Sequence, residues 1–238
     1  MTDHNTRTPL ALSDAPVAPA TVLRPGGQTL AGSAIALEPL DPRRHGDDLF
    51  AVADGAPDSL WDYLPYGPFH ERKAFDAWLN ANAASADPVF YALRDRASGK
   101  AQGMTSFLNI VPAGRSIEIG HIWFGPALQK TRAATQAIHL MIAHAFDDLG
   151  YRRVEWKCNA LNAPSRAAAL RFGFRYEGIF LRHMITKGKN RDTAWYGLVI
   201  DDWPSVKAGF AAWLDDGNFG ADGRQKARLT DLIAGEFP

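Results

Sequence analysis

The passage from residue 122 to residue 135 ends a predicted strand at Gly125-Pro126 and turns directly into a strong predicted helix. The first turn of such a helix leaves backbone N–H groups without partners at the positive end of the helix dipole. Lys130 and Arg132 add cationic side chains there. The combination suits a pyrophosphate. An ordinary helix start with solvated basic residues explains it equally well, so both interpretations stay open.

A second group of polar residues lies at N-A-L-N-A-P-S-R (159 to 166), between a predicted strand and a predicted helix. Asn162 followed by Pro164 is typical of a helix start, so capping alone explains Asn162 and Ser165. The functional interpretation places a carboxamide and a hydroxyl at the open end of the sheet, where ligands of α/β proteins usually bind.

Glu118 is the third candidate. Strict alternation along its strand places it on one face with Gly120, Ile122 and Phe124. If that face is covered, burial raises the pKa of the carboxyl, as a general base requires. If the face is open, Glu118 is a solvated strand residue.

Metal and thiol chemistry are not expected. His139 and His144 are five residues apart on one predicted helix, whereas a helical metal pair needs a four-residue step. Cys158 lies at the end of an apolar strand without a nucleophile turn, which favours a buried packing role.

Hydrophobic periodicity and turn residues predict the elements that position these groups. They form an α/β (α+β) arrangement, a mixed sheet with helices on both faces. Strands are predicted within 28–41, at 88–95, 101–111, 115–124 and 153–158, and on both sides of the Gly188-Lys189-Asn190 turn, and helices at 42–53, 70–84, 131–149, 163–172 and 202–214.

Length and composition predict one globular domain at 28–215, a disordered tail at 1–20 and a C-terminal extension at 216–238 with a short helix near 224–234. Lys plus Arg (26) balance Asp plus Glu (26), which gives no overall field toward nucleic acid or membranes. The single cysteine and the lack of a leader or a membrane-spanning run predict a cytoplasmic protein.

The run from 144 to 183 contains the motifs N-x-x-S (162–165) and G-F-x-x-E-G (173–178), and G-K-N-R-D-T-A-W-Y (188–196) and E-P-L-D (38–41) lie outside it. With these motifs the run resembles the second half of the GCN5-related N-acetyltransferase (GNAT) family, in the subgroup of ribosomal-protein N-terminal acetyltransferases. The resemblance implies a mostly antiparallel sheet of six or seven strands with a splayed central pair, between which the pantetheine arm of acetyl-CoA lies, and transfer of the acetyl group to a primary amine of a protein N-terminus or small molecule.

The family's phosphate turn, Q/R-x-x-G-x-G/A, aligns with Q-K-T-R-A-A (129–134), where Arg132 replaces the first glycine. Its side chain would either crowd the pyrophosphate or, pointing outward, contact a CoA phosphate. By the same resemblance the cofactor-binding residues are Trp123, Phe124, Gln129, Lys130, Thr131, Arg132, Ala133, Ala134 and Asn162.

The resemblance also implies roles in the reaction. Glu118 would be the base, directly or through water, a strand N–H near Trp123 or Phe124 the oxyanion donor, and Ser165 the acid that meets the leaving thiolate. Asn162 would orient pantetheine or substrate. The acceptor side would be lined by Trp61, Tyr63, Tyr66 and Phe69, for which core packing is an alternative.

Two other functions remain open from the sequence. The domain could bind or sense acyl-CoA without turnover, or use the fold only for structure or interaction, in which case CoA would not bind. An edge strand or the C-terminal hairpin could join two copies into a homodimer.

Overall fold

The computed structural model describes residues 12–236; part of the predicted tail, residues 1–11, lies outside the described residues. Residues 12–20 are exposed and have neither helix nor strand. Among residues 12–236 no helix is both long and apolar enough to cross a bilayer.

One mixed sheet forms the centre of the molecule. Its strands are β1 (Leu30–Ala31), β2 (Ile35–Pro39), β3 (Val89–Asp95), β4 (Ala101–Val111), β5 (Ser116–Phe124), β6 (Arg153–Asn159), β7 (Arg175–Thr186) and β8 (Lys189–Val199). Their spatial order is β1-β2-β3-β4-β5-β6-β8-β7. Among these eight strands, all within residues 12–236, the β5–β6 pair is parallel and every other pair is antiparallel. The predicted class is confirmed, with eight strands instead of six or seven because Leu30 and Ala31 add a two-residue edge strand.

The helices cover both faces of the sheet. They are α1 (Pro42–Asp54), α2 (Arg72–Ala83), α3 (Arg132–Ala143), α4 (Ala163–Arg171), α5 (Trp203–Leu214) and α6 (Leu229–Gly235). One core contains apolar residues of α3, α4, α5 and α6, and the other contains those of α1 and α2. We call the two sides the α3 face and the α1 face. The α1 face also carries the aromatic segment, residues 58–69.

Helix starts follow the local signals. The Asp41 carboxylate accepts a hydrogen bond from the Arg43 backbone N–H at 2.9 Å, and Pro42 occupies the first helical position. Thr131 caps α3 in the same way, with its hydroxyl accepting from the Ala134 N–H at 3.1 Å. The long helix predicted over 131–149 instead leaves the α-helical pattern at Ala143 and ends in a π-helical turn, His144–Asp148.

The β7–β8 turn lies one residue before its predicted place. Lys187 and Gly188 form it, both with positive φ (49° and 73°), whereas the sequence predicted Gly188-Lys189-Asn190. Two central residues with positive φ match the twist of a two-residue hairpin, and the glycine adopts that conformation without strain.

The C-terminal extension packs on the domain. Residues 216–218 form a 3-10 turn, Phe219 bridges Gln225, and α6 begins at Leu229, later than the predicted helix near 224–234. Gly209 of α5 allows close approach of α6, since a Cβ there would lie 2.6 Å from Ile233.

Candidate active site

The parallel strands β5 and β6 separate after three residue pairs. Ser116 faces Arg153, Ile117 faces Val154 and Glu118 faces Glu155, and no further pair follows although β5 runs on to Phe124 and β6 to Asn159. The backbone groups that line this gap lack a partner strand, so an extended ligand could occupy it. The splayed central pair implied by the resemblance is present, and Glu118 stands at the point where it opens.

A β-bulge at His121 reverses the faces of β5. Between the pairs Met104–Trp123 and Ser106–Gly120, β5 has two residues and β4 has one, and His121 has φ 49°. Ile117 and Ile119 therefore pack on the α3 face, as do Ile122 and Phe124 further along, whereas Trp123 packs on the α1 face. The extra residue of a bulge re-aims the side chains that follow it.

The predicted alignment of Glu118 with Ile122 and Phe124 on one face is therefore wrong. Glu118 alternates with Ile117 and Ile119, so it lies on the α1 face, together with His121 and Trp123. The sequence of β5 did contain a sign of this bulge, because its apolar residues shift from odd-numbered to even-numbered positions there.

Glu118 is buried, with 5% of its surface exposed, and one of its two carboxylate oxygens makes all of its polar contacts. Its Oε2 accepts a hydrogen bond from Asn109 Nδ2 at 2.6 Å and lies 2.9 Å from Lys157 Nζ. Both partners bind Oε2, and Oε1 has no hydrogen-bond partner among the described residues. Oε1 is thus the oxygen available to a proton.

Burial raises the pKa of Glu118, although Lys157 and Asn109 oppose the shift. Lys157 Nζ is shared with Glu155 Oε2 at 2.8 Å and lies 4.0 Å from the centre of the Trp195 ring. Burial acts on Glu155 in the same sense, but hydrogen bonds from Lys157 and Arg153 outweigh it and lower the pKa of Glu155. Of the two facing carboxyls, Glu118 is therefore the better proton acceptor near neutral pH.

His121 and Tyr66 form a second polar pair on the α1 face. Their rings stack at 5.7 Å with 10° between planes, and His121 Nδ1 lies 3.2 Å from the Tyr66 hydroxyl. Burial, assisted by the charge of Arg191, lowers the pKa of His121 to about 4, and burial raises the pKa of Tyr66. Both side chains are therefore neutral at pH 7.

The predicted acceptor-side aromatics divide into two pairs. Trp61 and Phe69 are core residues, 0% and 8% exposed, so for these two the alternative of core packing describes what the structure shows. Tyr66 lies beside His121, and Tyr63 is 38% exposed with its hydroxyl donating to the Leu161 carbonyl at 3.2 Å. Tyr63 thereby links the aromatic segment to the loop before α4.

Asn162 and Ser165 make the contacts that capping predicts. The Asn162 carboxamide oxygen accepts from the Ser165 N–H at 3.1 Å, and Ser165 Oγ accepts from the Trp156 indole N–H at 3.0 Å. Trp156 packs in the core of the α3 face, so Ser165 and Glu118 flank the gap from opposite faces of the sheet. The Ser165 hydroxyl keeps its own proton to donate.

The turn from β5 to α3 is held by its own side chains. Gln129 Nε2 donates to the Phe124 carbonyl at 2.8 Å, the Thr131 hydroxyl donates to the Leu128 carbonyl at 2.7 Å, and Lys130 adopts φ 60°. These contacts present the first turn of α3, including Ala133 and Ala134, at the end of the strand that borders the gap.

Arg132 points away from this turn toward the C-terminal extension. Its guanidinium donates to the Leu214 carbonyl, lies 2.7 Å from Asp216 Oδ1, and covers the Phe219 ring at 4.7 Å. Of the two alternatives for Arg132, crowding of the anion site is therefore not seen in this conformation.

Three polar residues near the gap, Lys157, His121 and Arg191, escaped the sequence prediction. Lys157 could have been found, because Arg153, Glu155 and Lys157 alternate with the apolar residues of β6 and so share a face. For His121, the shift in the apolar pattern of β5 was the one sign in the sequence. The sequence around Arg191 contained no comparable pattern. Among residues 12–236, no group of three His, Cys, Asp or Glu side chains could hold a metal ion.

Comparison with known proteins decides the family. Residues 35–175, more than half of the chain, match the family model described as an acetyltransferase (GNAT) domain. The chain belongs to the GNAT acetyltransferase family. A crystal structure of a GCN5-related N-acetyltransferase from Brucella melitensis is 42% identical with TM-score 0.88, covering 90% of this chain and 97% of that one. The predicted class, an acyltransferase, is the class of this family.

More distant GNAT proteins have more specific names. A ribosomal-protein-serine acetyltransferase of Escherichia coli (strain K12) is 31% identical over 99 residues, 42% of this chain. The matched part of this chain spans 55% of the length of that protein and 59% of the length of another curated relative, which is less than two thirds of either. RimL, a ribosomal L7/L12 alpha-N-protein acetyltransferase solved with coenzyme A, is 20% identical with TM-score 0.63, covering 73% of this chain and 99% of that one, and shows a shared fold.

Proposed function

We propose that this GNAT protein transfers an acetyl group from acetyl-CoA directly to a primary amine, of a protein N-terminus or a small molecule. The observation that carries the proposal is the gap between β5 and β6, which opens at the buried carboxyl of Glu118 and ends beside the first turn of α3. The gap would thus join a proton acceptor to a site for an anion.

In this proposal the cofactor lies in the gap. Pantetheine would replace the missing strand against the backbone near Trp123 and Phe124. The pyrophosphate would bind at the turn 129–134, where the backbone N–H groups of Lys130, Arg132 and Ala133 have no hydrogen-bond partner among the described residues, with the Lys130 side chain as a nearby cation. Coenzyme A bound to RimL, a distant relative with the same fold, supports coenzyme A as the cofactor. Asn162 would act by positioning the loop before α4, since its carboxamide oxygen is engaged in capping.

The reaction needs one proton acceptor and one proton donor. Glu118 would take a proton from the amine through Oε1 or a water, and the nitrogen would attack the thioester carbon to form the N–C bond and a tetrahedral oxyanion. Collapse of the oxyanion would re-form the carbonyl and break the C–S bond. A strand N–H near Trp123 would stabilise the oxyanion, and Ser165 would protonate the departing thiolate from the opposite face. Tyr63 and Tyr66 would border the amine.

The proposal is tested by adding acetyl-CoA to the purified protein and recording both the melting temperature and the release of CoA thiol with a panel of amines. A ligand at 100 times its dissociation constant stabilises the fold by about 2.7 kcal/mol, so binding is visible without turnover. Stabilisation with thiol release supports the enzyme. Stabilisation without thiol release from any amine would support an acyl-CoA-binding or sensing domain instead, and absence of both would leave only a structural role.

The class of acceptor is a further part of the proposal. The similarity to ribosomal-protein acetyltransferases favours a protein N-terminus as one arm of the amine panel. The cytoplasmic location and the homodimer stay predictions, as does the absence of a nucleic-acid partner.

A further inference from the structure

Arg191 is a cation close to the gap, and within residues 12–236 it has no ion pair. It lies on β8 beyond the last pair with β6, Asn159–Thr193. Among the described residues its one side-chain hydrogen bond is from Nη1 to the Met184 sulfur at 3.0 Å, and its Nε is buried without a partner. A thioether is a weak acceptor, and an unpartnered buried N–H of a charged group is costly. The guanidinium therefore has unused capacity to bind an anion.

The side chain of Arg191 lies on the same face as the proposed base. Residues Ala194, Tyr196 and Leu198 of β8 pack in the core of the α3 face, so the odd-numbered Arg191 belongs to the α1 face. Its charge is close enough to help lower the pKa of His121. Burial lowers the pKa of Arg191 itself, and the charges of Cys158 and Glu118 oppose that shift. Glu118 is already held by Lys157 and Asn109 and forms no ion pair with it.

The β7–β8 hairpin contacts the aromatic segment on this face. At its turn, Lys187 Nζ donates to the Trp61 carbonyl at 2.8 Å, which connects the hairpin to the aromatic segment across the end of the sheet. The indole N–H groups of Trp61, Trp123 and Trp195, all on the α1 face, are also buried without hydrogen-bond partners in the described part of the chain.

Every unsatisfied side-chain group just named is a donor. An arginine guanidinium and an indole N–H cannot accept hydrogen bonds, whereas a carboxylate only accepts them and matches the arginine fork with two oxygens. A neutral amine alone would leave these donors unpaired, and a second cation would be repelled.

We propose that the amine acceptor carries a carboxylate close to its amine and that Arg191 binds this carboxylate while Glu118 faces the amine. A free amino acid and a peptide with an acidic residue near its N-terminus share this chemistry. The inference rests on the proposed acetyltransferase function and narrows its substrate class.

The test compares amines that differ only in charge. Release of CoA thiol is measured with free amino acids against their carboxamides, and with peptides carrying Asp or Glu at the second position against Asn or Gln. We expect kcat/KM to favour the carboxylate partner of a pair by at least about tenfold, since a tenfold preference corresponds to one charge-assisted hydrogen bond. The arm that shows the preference identifies the source of the carboxylate.

The variants Arg191→Gln and Arg191→Met should reduce this preference to about one, through a loss of kcat/KM with the carboxylate-bearing amines. Lys189→Gln, an exposed cation on the same strand, is the matched control and should keep the preference. Melting temperatures show whether each variant is folded. Methionine keeps an apolar side chain at position 191, so Arg191→Met is the variant to use if Arg191→Gln is unstable.

Each outcome separates the two proposals. Turnover with equal rates on charged and neutral partners would overturn the carboxylate site and leave the acetyltransferase. If no amine releases thiol, the acetyltransferase proposal fails, and the carboxylate site is then decided by binding. A melting-temperature increase with carboxylate-bearing amines that is lost in Arg191→Gln upholds the site, and no increase overturns it.

Discussion

The ammonium of Lys157 lies 2.9 Å from Glu118 Oε2, although only 12% and 7% of the two side chains are exposed. A pair buried to this degree has lost most of its hydration, so each charge depends on the other. Asn109 adds a hydrogen bond to the same oxygen at 2.6 Å. The base proposed for the reaction is thus tuned by opposing effects, with burial raising its pKa and these partners lowering it.

Replacing Lys157 by Met should remove the ion pair and leave Glu118 buried without its cation. The pKa of Glu118 should then rise further, so the acidic limb of the pH profile of kcat/KM should move to higher pH, because a base must be ionised to accept a proton. Stability at pH 7 should fall by roughly 3–5 kcal/mol. Lys157→Arg keeps the charge and should move the limb much less. An unchanged limb in Lys157→Met would show that another group sets it.

Glu118→Gln should lower kcat by about 10²- to 10⁴-fold, the usual contribution of a general base, with little effect on the binding of acetyl-CoA. Glu155→Gln is the matched control, because Glu155 faces Glu118 in the sheet and contacts the same Lys157 ammonium. Single-turnover release of CoA thiol measures the chemical step in both variants. Equal losses in the two would contradict the assignment of Glu118 as the base.

Arg132→Gly would restore the glycine of the family's phosphate turn. Because the Arg132 side chain binds Leu214 and Asp216, its loss should destabilise the protein by about 1–2 kcal/mol while the Kd for acetyl-CoA stays within about threefold. Urea unfolding and calorimetric titration measure the two effects separately. Asp216→Asn should reproduce part of the destabilisation. A tenfold change in Kd would mean that the guanidinium reaches the cofactor.

His139→Phe should make the protein more resistant to acid. Burial, with help from Lys207, lowers the pKa of His139 to about 4, against about 6.5 in an unfolded chain. As pH falls from about 6.5 to about 4, the unfolded state takes up a proton that the folded state refuses, so stability is lost. Its Nε2 is buried and has no hydrogen-bond partner in the described part of the chain, and its ring stacks on Phe210 at 4.9 Å.

The measurement for His139 is the free energy of unfolding at pH 7.0, 5.5 and 4.5. His121 titrates in the same sense and remains in both proteins, so the slope should become smaller without vanishing. A slope equal to that of the original protein would rule out His139 as a source of acid sensitivity.

The parts of the fold that depend on neighbouring residues were predictable. Capping by Asp41 and by Asn162 involves partners two and three residues away, so the residue types alone indicated where α1 and α4 begin. The alternation of β6 likewise follows from which residues must enter the core.

The orientation of side chains at the site was less predictable. Arg132 points to partners 82 and 84 residues away, and nothing in the phosphate turn specifies that direction. The placement of Glu118 failed for another reason. Alternation assumes one residue per position on both strands, and the bulge at His121 breaks that assumption.

The gap after Glu118 and Glu155 divides the sheet into a half of five strands, β1 to β5, and a half of three, β6 to β8. A ligand that fills the gap would supply the hydrogen bonds missing between these halves. Amide protons along residues 119–124 and 156–159 should then exchange with solvent more slowly on binding. Ligand occupancy would thereby make the two halves open to solvent as one cooperative unit instead of separately.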